Sequence, residues 1–418
     1  MTERDTTGAT ARGARAVEWE ACRNLIQRCG LDPELFDLLT RADSEHRPEC
    51  LRLVDLGGRF VSFVLVVPRR VLIAGVPVDG ALVTLVGTDP AHRGRGFARL
   101  LLEDTVAFIR ARGFRVALVC GPPDFYARFG FVSCLGEYAS CFDPGRVLSR
   151  PGAGGVPAIW RPMTDQDIPE VAALYAGATA GTPGTVLRPP ERWVWRDRSR
   201  GRGGLAGLAV WQVDAGPVQA YVRWAVGQAG LPADCLGVSE VGAASPTALI
   251  ASLEWTANKA LEADLARVRF GGPPDHLFSR LAYLRVGGEL QVKAAGAGQI
   301  LVTNRGLLMA DLVQTLAQRA AKAGLPPGTA VVLDVGSKRL ELLYAGDRLR
   351  LLGGRAGRQD DRPVSRLPVE AFTAMALGYA GGGELEALPG VALAASHREA
   401  LAVLFPPAYP QWVPAPYW

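Results

Sequence analysis

The stretch from Leu82 to Phe131, LVTLVGTDPAHRGRGFARLLLEDTVAFIRARGFRVALVCGPPDFYARFGF, limits this chain more than any other. It reads as strand, loop, helix, strand and aromatic turn. Ala81 to Thr88 is an apolar strand, broken by Asp89 and Pro90 because proline cannot donate to a sheet ladder. Leu101, Leu102, Thr105, Phe108 and Ile109 recur at helical spacing until Gly113 stops them. Arg115 to Cys120 is a second strand.

The loop Arg93-Gly94-Arg95-Gly96-Phe97-Ala98 opens the helix. Gly94, Gly96 and Ala98 let the backbone approach a ligand. Amides at a helix start point at an anion, and the helix dipole favours negative charge there. Arg93 and Arg95 add charge-assisted contacts. A pyrophosphate fits. The spacing differs from the Gly-x-x-x-x-Gly-Lys-Ser/Thr loop and is one glycine short of the dinucleotide fingerprint. The bland alternative is an exposed basic turn.

Around this core the pattern supplies further elements. Residues 1–15 are expected to be disordered. Val17 to Arg28 and Pro33 to Arg41 read as helices, and glycine pairs at 57–58 and Ala74-Gly75 mark hairpins feeding the strand at 81–88. Asp124 is a candidate cap for the short helix carrying Tyr126, and Cys134 to Cys141 is expected to continue the first sheet. Residues 149–157, SRPGAGGVP, read as a linker. Thr164 and Asp167 spell a capping box. Strands follow at 207–213 and 218–224, then a helix over 248–266. Gly121-Pro122-Pro123-Asp124 recurs as Gly272-Pro273-Pro274-Asp275, each time after a helix and a short strand. This reads as an internal repeat whose second copy lacks the Arg-x-x-Gly loop and has Leu277 for Tyr126; chance recurrence is the alternative. Beyond Gly287 come a helix over 306–323, a three-strand meander over 329–352, a helix over 369–379 and one capped by Ser396 and Glu399.

Composition excludes several classes. All but four of the 46 basic residues are arginine, scattered and without interleaved aromatics, so a nucleic-acid platform is not indicated despite a net charge of +5. Seven cysteines show no Cys-x-x-Cys spacing and four histidines no ligand spacing, so buried thiols are expected and no metal. No run reaches the roughly 18 apolar residues of a membrane span, and MTERDTTGATARGAR has no signal-like apolar stretch, so a cytoplasmic location is expected.

Arg93-x-x-Gly96-x-Ala98 after Val-Gly-Thr-Asp-Pro, with Tyr126-x-Arg128-Phe129-Gly130-Phe131, resembles the Gcn5-related N-acetyltransferases (GNAT). Within them the chain is similar to the enhanced intracellular survival (Eis) type of aminoglycoside N-acetyltransferase. The resemblance implies an α/β (α+β) fold: tandem acetyltransferase domains at 1–150 and 158–286, the second degenerate, then a sterol-carrier-like domain at 287–405 and a tail at 406–418 returning to the active site. It implies acetyl-CoA as co-substrate, with backbone groups at Val86, Gly87 and Thr88 on the pantetheine arm. Arg93, Gly94, Arg95, Gly96, Phe97, Ala98 and Arg99 would surround the pyrophosphate. A small-molecule amine would be the acceptor, and a homo-oligomer, a hexamer, is implied.

An amine attacking a thioester needs a base, and the departing thiolate needs an acid. Tyr126 is the candidate acid, because a phenol of pKa ~10 stays protonated at neutral pH; a wall residue packing the cofactor is the alternative. No His or Glu lies near Tyr126 in sequence. In the resembled family the C-terminal carboxylate serves as base, which here belongs to Trp418. Five prolines between Pro406 and Pro416 favour an extended tail, and its aromatics favour docking; packing against its own domain is the alternative. The rival functions are a protein or peptide lysine acetyltransferase and a non-catalytic CoA- or lipid-binding protein.

Overall fold

Gly57 and Gly58, both at positive φ, turn the strand Leu51–Leu56 back onto Arg59–Ile73, and Ala74-Gly75 turn that strand onto Val76–Thr88. The computed structural model in which this meander stands describes residues 6, 8–41, 43, 45–150, 158–193, 205–214, 216–227, 231–293, 298–356 and 362–411. In chain order the first part holds β1 (Ala9–Gly13), α1 (Trp19–Arg28), α2 (Pro33–Arg41), β2 (Leu51–Leu56), β3 (Arg59–Ile73), β4 (Val76–Thr88), α3 (Phe97–Ala111), β5 (Val116–Cys120) and α4 (Pro123–Tyr126). Next come β6 (Glu137–Phe142), α5 (Pro144–Leu148), β7 (Ala158–Pro162), α6 (Ile168–Thr179), β8 (Leu205–Val213), β9 (Val218–Val226), β10 (Cys235–Ala243), α7 (Pro246–Glu262), β11 (Arg267–Phe270), α8 (Leu277–Val286) and β12 (Glu289–Lys293). The last part holds β13 (Gly298–Val302), α9 (Arg305–Lys322), β14 (Ala330–Val335), β15 (Lys338–Tyr344), β16 (Leu349–Arg355), β17 (Ser365–Leu367), α10 (Val369–Leu377) and α11 (Arg398–Leu404).

These elements make a mixed α+β fold with three sheets, ordered β1-β2-β3-β4-β5-β13, β12-β6-β11-β10-β9-β8-β7 and β16-β15-β14-β17. Two compact units result. One combines residues 1–71, 76–134 and 297–407; the other combines 72–75, 135–296 and 408–418. In the first, α3 lays Phe97, Leu101, Leu102, Val106 and Ile109 against Ala81, Val83, Ala117 and Val119 of the sheet. In the second, α7 packs Leu253, Ala257 and Ala260 against Leu236, Val238 and Val268.

Several expectations are corrected. Residues 9–13, expected to be disordered, form β1, paired with β2 from Ala9↔Leu56 to Gly13↔Arg52. Its five residues carry no apolar periodicity; pairing and the contacts of Arg12 to Glu18 and Asp55 order them. The run expected to continue the first sheet instead forms β6, which pairs with β11 and β12 in the second. The place beside β5 goes to β13, from beyond residue 287. Apolar alternation sets which face of a strand is buried, not which strand it meets. Asp124 does not cap α4, and Ser396 with Glu399 forms no box, since Pro122 and His397 hold the cap positions without side-chain bonds. The Thr164–Asp167 box forms as read. Cys120 is exposed rather than buried. The linker residues 151–157 lie outside the described residues.

Candidate active site

The site begins where β4 and β5 part. They pair in parallel from Gly80↔Val116 to Val83↔Val119 and no further. Two residues on, Leu85 has φ 49°, left-handed backbone that a branched side chain rarely adopts. The kink carries Val86, Gly87 and Thr88 away from β5, leaving backbone groups on that side unspent by the ladder. The Gly87 carbonyl accepts from Ser62 Oγ at 2.8 Å, and the Ser62 and Thr88 hydroxyls meet at 2.9 Å. A Cβ on Gly87 would stand 2.6 Å from Phe63 Cε1, so packing requires this glycine.

Asp89 anchors the loop that follows. Its amide donates to the Val61 carbonyl at 2.9 Å, and its carboxylate accepts from the Ala91 amide at 3.1 Å and from Arg28 Nε at 3.3 Å. Arg59 lies 3.7 Å away and His92 3.8 Å. Burial by itself would raise the Asp89 pKa, but the Ala91 amide, Arg28 and His92 together hold it below the usual range. Sequence reading missed Asp89, Arg28 and Arg59. The sign available was Asp-Pro before a helix; its arginine partners are distant in sequence.

Gly94 and Gly96 have φ 78° and 95°, and Gly96 caps the 15-residue α3. The Arg99 and Leu100 amides close onto the Gly96 carbonyl, both at 3.1 Å. The Phe97 and Ala98 amides have no intrahelical acceptor, as first-turn geometry dictates. Phe97 is buried and pins the helix start to the core. Arg93 Nε donates to the Thr88 carbonyl at 3.3 Å, and Arg95 lies over the Phe97 ring at 5.0 Å. Arg99 instead runs along the helix to Glu103 at 2.6 Å. The structure thus gathers 86–98 around the strand end and the helix start, and leaves the Arg99 side chain out.

On the other side of the split, β5 ends at Cys120 and the turn carries Tyr126. That ring is 5% exposed and meets Phe125 and Phe131 edge-on, with centroids 5.0 and 5.9 Å away. Burial, aided by Cys120, pushes the phenol up to about 12. Gly121 passes so close that a Cβ there would stand 2.5 Å from Tyr126 Cε2. The Gly121 carbonyl accepts from Gln299 Nε2 of β13 at 3.1 Å, a contact sequence reading missed.

The tail is described only to Gln411, so Trp412, Tyr417 and Trp418 lie outside the described residues. Ala408–Gln411 belongs to the second unit, not to the region that precedes it. There the Gly136 amide donates to Pro410, the Gln411 amide to Pro183 and Gln411 Nε2 to Gly271.

The second unit repeats the strand–helix–strand arrangement. β10 and β11 pair in parallel from Cys235↔Arg267 to Val238↔Phe270, with α7 between them. Gly272 follows Phe270 by two residues, as Gly121 follows Val119. At the start of α7, however, Ser245 Oγ accepts the Ala248 amide at 3.2 Å, so a side chain takes an amide of the kind that faces an anion. Among the described residues no group of three or more His, Cys, Asp or Glu gathers as metal ligands, and no helix is long and apolar enough to cross a membrane.

Residues 10–133 match the family described as acetyltransferase (GNAT) domain. No curated protein matches the sequence. Among solved structures, a GCN5-related N-acetyltransferase from Anabaena variabilis is 14% identical, covering 96% of this chain and 98% of its own, with a TM-score of 0.74. Eis1 from Mycobacterium abscessus is 18% identical over 97% of this chain and 99% of its own, with a TM-score of 0.68. A GCN5-related N-acetyltransferase from Kribbella flavida is 16% identical over 96% and 97%, with a TM-score of 0.69. At these identities the likeness is one of fold. Residues 10–133 are a GNAT acetyltransferase domain, in a chain whose mixed α+β fold is shared along its length with these acetyltransferase structures.

Proposed function

We propose that the chain is an acetyl-CoA-dependent N-acetyltransferase acting on a small amine, a polyamine or an aminoglycoside-like molecule. The observation that carries the reading is the two-glycine, two-arginine loop at the head of α3, set beside strands that part at Leu85. Backbone groups of Val86, Gly87 and Thr88 would hold the pantetheine arm. Amides from Arg93 to Ala98 and the two guanidiniums would hold the pyrophosphate. Acetyl-CoA supplies the acetyl thioester.

In the transfer a neutral amine forms the new C–N bond as the C–S bond breaks. One proton leaves the ammonium to a base before attack, one passes from the Tyr126 hydroxyl to the departing sulfur, and the proton still on the acylated nitrogen restores the Tyr126 hydroxyl. The base is assigned to the Trp418 carboxylate on family resemblance. Adding several Gly-Ser residues after Trp418 tests it: acetyl-CoA binding is expected to persist and most turnover to be lost, and full activity would exclude that base. The second unit is proposed as a copy of the fold that binds no CoA, residues 287–405 as sterol-carrier-like, and the assembly as a homohexamer.

A CoA-release assay against aminoglycosides, polyamines and short lysine peptides tests the function. Turnover with the small amines is expected. Turnover with peptides alone would replace this reading with a protein acetyltransferase, and binding without turnover would replace it with a CoA-binding protein.

A further inference from the structure

Gln299 is the one polar side chain in β13, whose five residues Gly298-Gln299-Ile300-Leu301-Val302 are all buried. It is fully buried, opposite Val119 in the ladder and two residues from Leu301, so it faces the core that holds Tyr126 and Phe131. Burying an amide is unfavourable unless both its ends are paired. Here Nε2 donates to the Gly121 carbonyl at 3.1 Å, while Oε1 has no hydrogen-bond partner among the described residues. Flipping the amide would oppose two acceptors, so Gly121 fixes its orientation. The contact fails to satisfy the side chain and yet holds the first backbone carbonyl between β5 and the Tyr126 turn. A side chain kept at that cost to stability suits a role in the site.

We infer that Gln299, 178 residues further along the chain, is a positioning residue that locks Gly121 and thereby sets the Tyr126 ring beyond the end of the β4–β5 pairing. The inference rests on the acetyltransferase reading. A proton donor displaced by about an ångström loses a large part of its effect.

The test uses the full chain with 3-fluorotyrosine incorporated and the Tyr126 resonance assigned through Tyr126→Phe. In Gln299→Met, kcat is expected to fall about tenfold with the acetyl-CoA KM within twofold of the parent, and the fluorine resonance of Tyr126 to shift. Gln299→Leu, of similar size and unable to donate, is expected to do the same and serves if the Met variant does not fold. An unmoved resonance with unchanged kcat in either folded variant overturns the inference. So does a loss of activity that only tracks a loss of folded protein. If the parent chain transfers no acetyl group, the functional reading fails, and the fluorine shift alone still decides whether Gln299 positions Tyr126.

Discussion

Glu240 occupies in β10 the place that Leu85 occupies in β4: each stands two residues beyond the last parallel pair, Val238↔Phe270 and Val83↔Val119. In the first unit that place is a left-handed kink just past the end of the parallel pairing. In the second it holds a carboxylate bonded to Arg188 at 2.6 Å and to Arg223 at 3.3 Å. Arg188 lies 4.0 Å from the Tyr175 ring centroid and 4.4 Å from that of Trp193. Burial by itself would raise the Glu240 pKa, and Arg188 and Arg223 hold it below the usual range. Where one unit has a left-handed kink, the other has an ion pair among aromatic rings.

That pair is expected to be costly to break. Arg188→Ala should destabilise the protein by about 3–5 kcal/mol, because it leaves the buried Glu240 with only its longer contact to Arg223. Replacing both, Arg188→Met with Glu240→Leu, should recover most of the loss. Urea unfolding of the three chains checks this, and a single variant as stable as the parent contradicts it.

Arg93→Ala combined with Gly96→Asp is expected to weaken acetyl-CoA binding at least 30-fold, about 2 kcal/mol. Gly96 sits at φ 95°, where any side chain is strained, and the new carboxylate would face the pyrophosphate. Calorimetric titration of a variant that still melts cooperatively is the measurement.

Tyr126→Phe keeps the ring contacts with Phe125 and Phe131 and removes only the hydroxyl. Turnover should drop about a hundredfold with little change in melting temperature. Because burial pushes this phenol up to about 12, the acid stays protonated as pH rises through 10. The parent's kcat should therefore show no alkaline decline below that pH, and a decline centred well under 10 would remove Tyr126 from the role.

Acid stability should depend on two carboxylates at helix starts. Arg12 bonds Glu18 at 2.8 and 2.9 Å, and Arg161 bonds Asp167 with both distances at 2.7 Å, each six residues apart. These contacts, foremost the arginine bonds, hold both carboxyls at about 2. A folded pKa below the unfolded one gives stability that is full above the unfolded value near 4 and lost as pH falls through about 2. Glu18→Gln should cost roughly 1–2 kcal/mol at pH 7, discounted for the partly exposed arginine, and flatten the loss between pH 4 and 2. Thermal melts from pH 7 to 2 measure both effects.

The Arg12–Glu18 and Arg161–Asp167 pairs also show a repeat that residue patterns hide. Each joins a five-residue strand to the first long helix of its unit, but the residues between share little. The Gly-Pro-Pro-Asp run was legible because the same four residues recur, whereas many side chains serve between a strand and a helix.

Local chemistry was written in the sequence. The strand–loop–helix over 81–111, the left-handed glycines at 94 and 96, the Thr164–Asp167 box and the aromatic turn at Tyr126 follow from φ preference, capping and apolar period, all of which act within a few residues. Tertiary structure alone decided which strands are neighbours. β6 leaves the first sheet and β13 enters it, because alternation sets a buried face and says nothing of the edge it pairs with. For the same reason Gln299 reaches Gly121 across 178 residues of sequence, and Arg28 and Arg59 converge on Asp89. Such contacts arise only when distant segments share a core, and no local propensity records them.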